Sequence, residues 1–301
     1  MTVAIPVRDG GHLFGETLAA VRAQRLDRPL ELLVADSSSS DGSRELALAH
    51  GAHVVDVAPA EFSHGGTRNM LARRAAGAHV AFLTQDAVPA DELWLARLLS
   101  GFELANDVAL VFGPYRPRPE ASNAVRRELR EWFDSLACEG RPCIQRAPSG
   151  EHALGLGRET FFSDANGCVK KSAWAEVPFR AVPYAEDRLL SLDMLAAGYA
   201  KVYHPDAAVI HSHDYRALEQ FRRAFDEARA LRAVYGQREP LRPDRIAHEV
   251  RRGVRGDLAA GGSLAGSLGF HVTRTAGRGL GSRADRVPSA ARRALSLEGR
   301  G

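Results

Sequence analysis

Between residues 61 and 86 the chain runs Glu-Phe-Ser-His-Gly-Gly-Thr-Arg-Asn, continues through a short helical stretch, and ends Ala-Phe-Leu-Thr-Gln-Asp. The glycine turn offers backbone N–H groups, Arg68 offers a planar fork of donors, and Asp86 closes an apolar run with a hard oxygen ligand. That combination suits a diphosphate-bearing ligand accompanied by a divalent cation. Other polar residues able to do chemistry stand where other apolar runs stop: Arg8 and Asp9, Asp36, and His211 with His213. Each has a plainer alternative. Asp36 could cap the helix that follows it, Arg68 could sit in a surface ion pair, and the histidines could merely close a strand.

The elements that must position these residues follow from apolar runs at 3–7, 30–35, 54–57, 80–83 and 108–112, none of which alternates. Runs of this kind that hand over to helices within a few residues indicate a parallel sheet covered on both faces. The order is β-α-β-α-β-α-β-α-β, an α/β open doubly wound sheet, whose ligands lie beyond the carboxyl ends of the strands. The polar residues named above stand at those ends.

Regularity stops after Gly113. Pro114, Pro117 and Pro119 enclose a basic loop, residues 123–136 read as an amphipathic helix, and residues 139–158, without clear period, read as a binding loop or lid. The sheet pattern resumes over 161–169, followed by a helix at 186–197, a strand at 207–211 and a helix at 215–235. Residues 1–215 are expected to form the catalytic domain and residues 216–301 a helical, Arg-rich, partly flexible extension, with no individual element assigned beyond Pro240.

Composition narrows the function classes. With 301 residues, 45% hydrophobic and 26% charged, the chain is globular and long enough for a large core. Cys138, Cys143 and Cys168 are odd in number and lack Cys-x-x-Cys spacing, so neither a zinc site nor a disulfide is expected, and a reducing cytoplasm is the default. No basic-then-apolar leader and no long uncharged apolar run is present. The net charge of +3 hides an asymmetry: from Arg216 onward there are 18 Arg and no Lys against 9 Asp plus Glu. A basic end on an acidic body points to an anionic partner, a membrane surface before a nucleic acid, which is not expected. A dinucleotide site is excluded by Arg8-Asp9-Gly10-Gly11-His12, which lacks Gly-x-Gly-x-x-Gly, and no P-loop motif occurs.

Taken in order, these residues resemble the GT-A-fold glycosyltransferases of family 2 over residues 2–215. Ala4-Ile5-Pro6-Val7-Arg8-Asp9-Gly10-Gly11 is similar to that family's first strand and turn, and Val34-Ala35-Asp36-Ser37 to its second strand with the nucleotide-binding acid. Thr67-Arg68-Asn69 resembles its Arg-Asn element. Phe82-Leu83-Thr84-Gln85-Asp86 falls at the Asp-x-Asp metal motif, and Ala185-Glu186-Asp187-Arg188 at the Glu-Asp pair carrying the base. Within the family, residues 62–69, 84–87, 161–166 and 211–213 look most like bacterial rhamnosyltransferases, which use dTDP-L-rhamnose.

The resemblance implies a Rossmann-like nucleotide-binding half and an acceptor-binding half. It implies that Pro6, Val7, Arg8, Asp36, Arg68, Gln85 and Asp86 hold the nucleotide sugar, and that Asp86 and His211 hold Mg²⁺ or Mn²⁺. Asp187 is then the general base of an inverting transfer to a glycan or lipid-linked acceptor, with Asn166 and Glu186 near that acceptor. Two positions depart from the pattern: Thr84 replaces the first acid of Asp-x-Asp, and Ser37 replaces the acid after Asp36. The alternatives are a UDP-hexose or GDP-mannose donor, or a non-catalytic nucleotide-sugar binder.

Overall fold

The computed structural model describes residues 1–147, 158–182, 184–236, 238–240 and 242–297. They form two compact units, Met1–Arg116 with Trp132–His211, and Pro117–Glu131 with Ser212–Gly301. Half of the expected lid over 139–158, residues 148–157, lies outside the described residues.

The first unit contains strands β1 (Thr2–Val7), β2 (Glu31–Asp36), β3 (His53–Asp56), β4 (His79–Leu83), β5 (Val88–Pro89), β6 (Val108–Phe112), β7 (Tyr115–Arg116), β8 (Cys143–Gln145), β9 (Asn166–Lys170), β10 (Ala200–Tyr203) and β11 (Val209–Ile210). Eight of them form a sheet in the order β3-β2-β1-β4-β9-β6-β10-β8. Strands β1 to β4 pair in parallel, as do β6 and β10, while β9 runs antiparallel to both β4 and β6, and β8 antiparallel to β10. The remaining three make a small sheet, β5-β11-β7. Helices α1 (Gly11–Arg22), α2 (Ser43–Ala49), α3 (His64–Arg74) and α4 (Trp94–Phe102) alternate with the early strands, so the expected mixed α/β, mostly parallel architecture is the observed one. The division between the two units falls within α5 (Asn123–Asp134); α6 (Lys171–Glu176) and α7 (Glu186–Ala196) complete the first.

The lack of alternation has its cause in burial on both faces: Val3, Ala4, Ile5 and Val34 are wholly inaccessible, as are Phe14 and Leu18 of α1 and Trp94 and Leu98 of α4. Burying each large apolar side chain contributes about 1.5–3 kcal/mol. Gly113 ends β6 because a Cβ there would lie 1.7 Å from the Ala207 carbonyl oxygen. That close approach brings the chain from β6 to β7 beside the segment leading to β11.

Two expectations are corrected. Gly65 and Gly66 are not a free turn but the first turn of α3, whose N-cap Ser63 accepts the Gly66 N–H at 3.2 Å. Cys138 and Cys143 are joined in a disulfide. Positive φ at Glu139 and Gly140 folds the intervening residues into a tight turn that brings the two Cα atoms to 5.4 Å, a closeness the spacing rule does not consider. Cys168 is free and buried.

The second unit is helical: α8 (Ala217–Tyr235), α9 (Pro243–Ala259), α10 (Leu264–Gly281), a 3₁₀ turn (Ala284–Arg286) and α11 (Ser289–Leu295). Gly277 and Gly281 let α10 lie against α8, since a Cβ at either position would come within 2.4 Å of the carbonyl oxygen of Phe221 or Phe225. Buried Asp257 of α9 takes Arg127 Nε at 2.7 Å, His271 Nε2 at 2.9 Å and the Ser267 hydroxyl. Burial works against its charge, but these three partners outweigh it and hold the carboxyl below its ordinary range.

Candidate active site

Loops leaving β1, β2 and β4 are tied together by backbone N–H groups donating to side chains. The donor Arg8 N meets Gln85 Oε1 at 2.9 Å, Asp9 N meets Ser39 Oγ at 3.0 Å, and Ser40 N meets Asp9 Oδ1 at 2.7 Å. Gly10 N donates to Ser43 Oγ and Gly11 N to Asp41 Oδ2. These bonds hold Asp9 and Ser38 at positive φ, a backbone conformation costing on the order of 1–3 kcal/mol outside glycine. Val7 lies opposite Asp36 in the sheet, so Pro6, Val7, Arg8, Asp36 and Gln85 stand together at its carboxyl edge. Asp36 is buried and both its carboxylate oxygens accept the Ser39 N–H at 3.3 Å, a bond within the loop; it does not cap the following helix, whose N-cap is Gly42.

Asp86 follows β4 and His211 follows β11. Their ligand atoms, Asp86 Oδ1 and His211 Nδ1, stand 3.6 Å apart. That span is too long for a good hydrogen bond, yet it lets one ion with bonds of about 2.1 Å touch both. The carboxylate oxygen suits Mn²⁺ or Mg²⁺ and the imidazole nitrogen favours Mn²⁺ of the two, so the residues fit the implied ion, Mn²⁺ better than Mg²⁺. His211 is fixed from behind: its backbone N–H donates to the Arg116 carbonyl at 2.9 Å, and its ring meets the Tyr115 ring edge-on at 5.0 Å. His213, the alternate residue along the chain, falls just past the end of this unit. With Thr84 where an acid would stand, Asp86 supplies the one carboxylate of the corner, and much of the coordination shell is left to phosphate oxygens. Mn²⁺ is therefore expected to bind about tenfold or more tightly with a nucleoside diphosphate present, coupling that Asp86→Asn removes. Calorimetric titration with equal Mn²⁺ affinity in both conditions would contradict this.

The third cluster sets half-buried Asp187 beside buried Arg68, Asp164 and Glu186. Asp187 lies in the first turn of α7, where the helix N-terminus favours a negative charge, after Ala185 at φ 61°. Burial above all, then the charge of Asp164, pushes its carboxyl up to about 7; Arg188, whose N–H donates to Oδ1 at 2.7 Å, and Arg68 oppose the rise. Arg68 departs from the fork held open for a diphosphate. It is 3% exposed, its Nε pairs with Asp164 Oδ2 at 2.6 Å, and its Nη1 pairs with Glu186 Oε1 at 3.2 Å. Asp164 and Glu186 are both raised, each by burial first; for Asp164 the Arg68 charge opposes the rise, and for Glu186 neighbouring Asp187 adds to it. One guanidinium thus stands among three carboxylates.

Asn166 is corrected as an acceptor ligand. It is wholly buried at the start of β9, with Oδ1 accepting Trp94 Nε1 at 2.8 Å and Nδ2 donating to the carbonyls of Pro114 and Ala207. No polar atom remains for a sugar. Asn166→Ala is expected to cost about 3 kcal/mol or more, because three buried partners lose their bonds. A melting temperature within a degree of the parent would refute this. Asn69 is likewise structural, accepting Trp174 Nε1 and Phe179 N and donating to the Phe179 carbonyl. The aromatic residues Trp132 and Phe161 meet edge to face at 5.1 Å, and Phe162 is in the core.

Tyr115 and Ser163 receive no role from the sequence. The Tyr115 ring supports His211 and its hydroxyl bonds Ser163, adjacent to Asp164, so one side chain joins the metal corner to the carboxylate cluster. The signal was available: Tyr115 follows the apolar run 108–112, the same strand-end rule that finds Asp36 and Asp86.

A doubly wound sheet with loops knitted at its carboxyl edge, a carboxylate–imidazole corner and a carboxylate held near neutrality defines a glycosyltransferase of the GT-A fold. Among solved structures, the mannosyltransferase PcManGT of Pyrobaculum calidifontis, determined with GDP-mannose and Mn²⁺, aligns with a TM-score of 0.61 at 18% identity over 95% of this chain and 87% of its own. TarS of S. aureus, determined with UDP-GlcNAc, aligns with a TM-score of 0.52 at 12% identity over 98% and 78%. Both show the fold. A model of glycosyl transferase family 2 matches residues 2–149. The O-antigen chain rhamnosyltransferases WbaN of Salmonella anatum and RfbN of Salmonella typhimurium are 31% and 30% identical, each over 75% of this chain and 70% of its own length. The chain belongs to glycosyl transferase family 2.

Proposed function

We propose that this enzyme is an inverting, metal-assisted rhamnosyltransferase that moves rhamnose from dTDP-L-rhamnose to a hydroxyl of a cell-surface polysaccharide chain carried on a lipid, working at the inner face of the membrane. The donor and acceptor classes are supported by the two rhamnosyltransferase relatives. The mechanism is carried by one observation, the Asp187 carboxyl poised at about 7. A base near the working pH removes a proton with the best compromise between ionised fraction and basicity. The acceptor oxygen bonds to the anomeric carbon, the bond from that carbon to the diphosphate oxygen breaks, and the acceptor proton passes to Asp187. A single displacement inverts the anomeric carbon.

A divalent ion held by Asp86 and His211 would supply positive charge to the departing diphosphate. Asp36 would accept the thymine imide N–H, with Pro6, Val7 and Arg8 beside the base and ribose. We assign Arg68 to positioning Glu186 and Asp164 behind Asp187 rather than to the diphosphate.

The donor is tested with a panel of dTDP-rhamnose, UDP-glucose and GDP-mannose in the presence of Mn²⁺. Only dTDP-rhamnose is expected both to raise the melting temperature and to be consumed with an acceptor. Equal stabilisation and turnover with UDP-glucose or GDP-mannose would overturn the donor assignment.

A further inference from the structure

Residues 258–273 contain no Asp, Glu, Lys or Arg, and they form the end of α9, the turn after it and the first half of α10. Within this stretch Leu258, Leu264, Leu268 and Val272 are 42%, 59%, 46% and 48% exposed. Leu264, Leu268 and Val272 follow one another at four-residue intervals, so they make one continuous stripe along α10. Other α10 positions face the protein: Ser267 and His271 bond Asp257, and Gly277 and Gly281 meet the α8 backbone. The stripe therefore has a packed side behind it, while Leu264, Leu268 and Val272 themselves stay about half exposed among the described residues. Scattered exposed leucines are ordinary, but a row of them on an uncharged hairpin tip is not.

What surrounds the tip identifies its partner. On α9, Arg251, Arg252 and Arg255 are exposed immediately before the uncharged stretch, while Arg274 after it is paired with Glu128. Of the acids on α9, Asp257 is buried and already bonded to Arg127, His271 and Ser267, and exposed Glu249 stands one turn before Arg252, leaving three arginines against one exposed acid on this part of the helix. The rim is thus cationic, in a region where Arg outnumbers acids two to one. An apolar stripe bordered by arginines matches an anionic bilayer surface, with the leucines among the upper acyl chains and the arginines at the headgroups. Among the described residues no helix is long and apolar enough to cross a membrane.

We infer that the tip of the α9–α10 hairpin, led by Leu264, Leu268 and Val272 and rimmed by Arg251, Arg252 and Arg255, docks on an anionic lipid surface. This deepens the membrane placement proposed above and is independent of the donor assignment, since lipid binding is read without sugar transfer.

The test is flotation of the full chain with vesicles of phosphatidylcholine alone or mixed with phosphatidylglycerol, alongside Leu264→Glu/Leu268→Glu and Arg251→Glu/Arg252→Glu variants. The parent is expected to float with phosphatidylglycerol vesicles and not with phosphatidylcholine alone. Each double variant is expected to lower the bound fraction by about tenfold, with an unchanged melting temperature and unchanged donor binding. Three outcomes would overturn the inference: no flotation of the parent, equal flotation of the leucine variant, or a parent dimer that the leucine variant dissociates without altering vesicle binding. The last would identify a second copy of the chain as the occupant.

Discussion

Asp187→Asn is expected to lower kcat/KM by about two to four orders of magnitude with KM for the donor nearly unchanged. In the parent, the rate is expected to rise about tenfold per pH unit up to a midpoint near 7 and then level, because the base works only when ionised. The variant's residual rate loses that limb. The same substitution is expected to stabilise the fold. The folded-state pKa of Asp187 lies above the 3.8 of an exposed aspartate, so its contribution is most favourable below pH 3.8 and is lost as pH rises through about 7. An amide escapes that loss. At pH 8 the variant should therefore melt higher than the parent by the equivalent of a few kcal/mol, and at pH 5 by much less. A variant that retains turnover within tenfold, or a parent profile flat between pH 5 and 8, would remove Asp187 from the reaction.

The residues that could be read from the sequence are those whose neighbours are close along the chain. Strands β1 to β4 and β6 come from local apolar runs, and their carboxyl ends place Arg8, Asp36 and Asp86 before any tertiary contact is known. The two-residue strands β5 and β7 are too short for any period to emerge, whereas β11 lies within the strand expected at 207–211; Tyr115, which braces His211, stands in β7, just past the run 108–112. Asn166 misleads for a related reason: a polar residue near a strand start suggests a ligand, and only the distant Trp94, Pro114 and Ala207 reveal that its amide is fully used. The helices after Pro240 are obscured by glycine and alanine, which weaken the apolar stripe in sequence; yet Gly277 and Gly281 are what permit α8 and α10 to pack. The disulfide shows the same limit, since turn geometry rather than spacing unites its cysteines.

Arg68 is where local reading and tertiary structure diverge most, and its replacement has the largest expected effect on stability. Arg68→Ala leaves Asp164 and Glu186 buried together, beside half-buried Asp187, without the guanidinium that the first two touch. Removing one partner of a buried ion pair costs about 3–5 kcal/mol, chiefly because the remaining charge is uncompensated. The carboxylates can escape that cost only by binding protons, so their folded pKa values, already raised, rise further above the unfolded values. The sign follows: stability is retained at low pH and lost as pH climbs through the raised values. The melting-temperature deficit of the variant should therefore be small near pH 5 and grow toward pH 8. Because Arg68 also pulls the Asp187 carboxyl down, the acidic limb of the rate should move to higher pH in any variant that folds, and Arg68→Lys, which keeps the charge, should restore part of the shift. A diphosphate ligand would behave differently. Its loss would weaken donor binding about equally at every pH, with little change in the melting temperature of the free enzyme. Measuring both quantities across pH for Arg68→Ala and Arg68→Lys separates a positioning arginine from a phosphate-binding one.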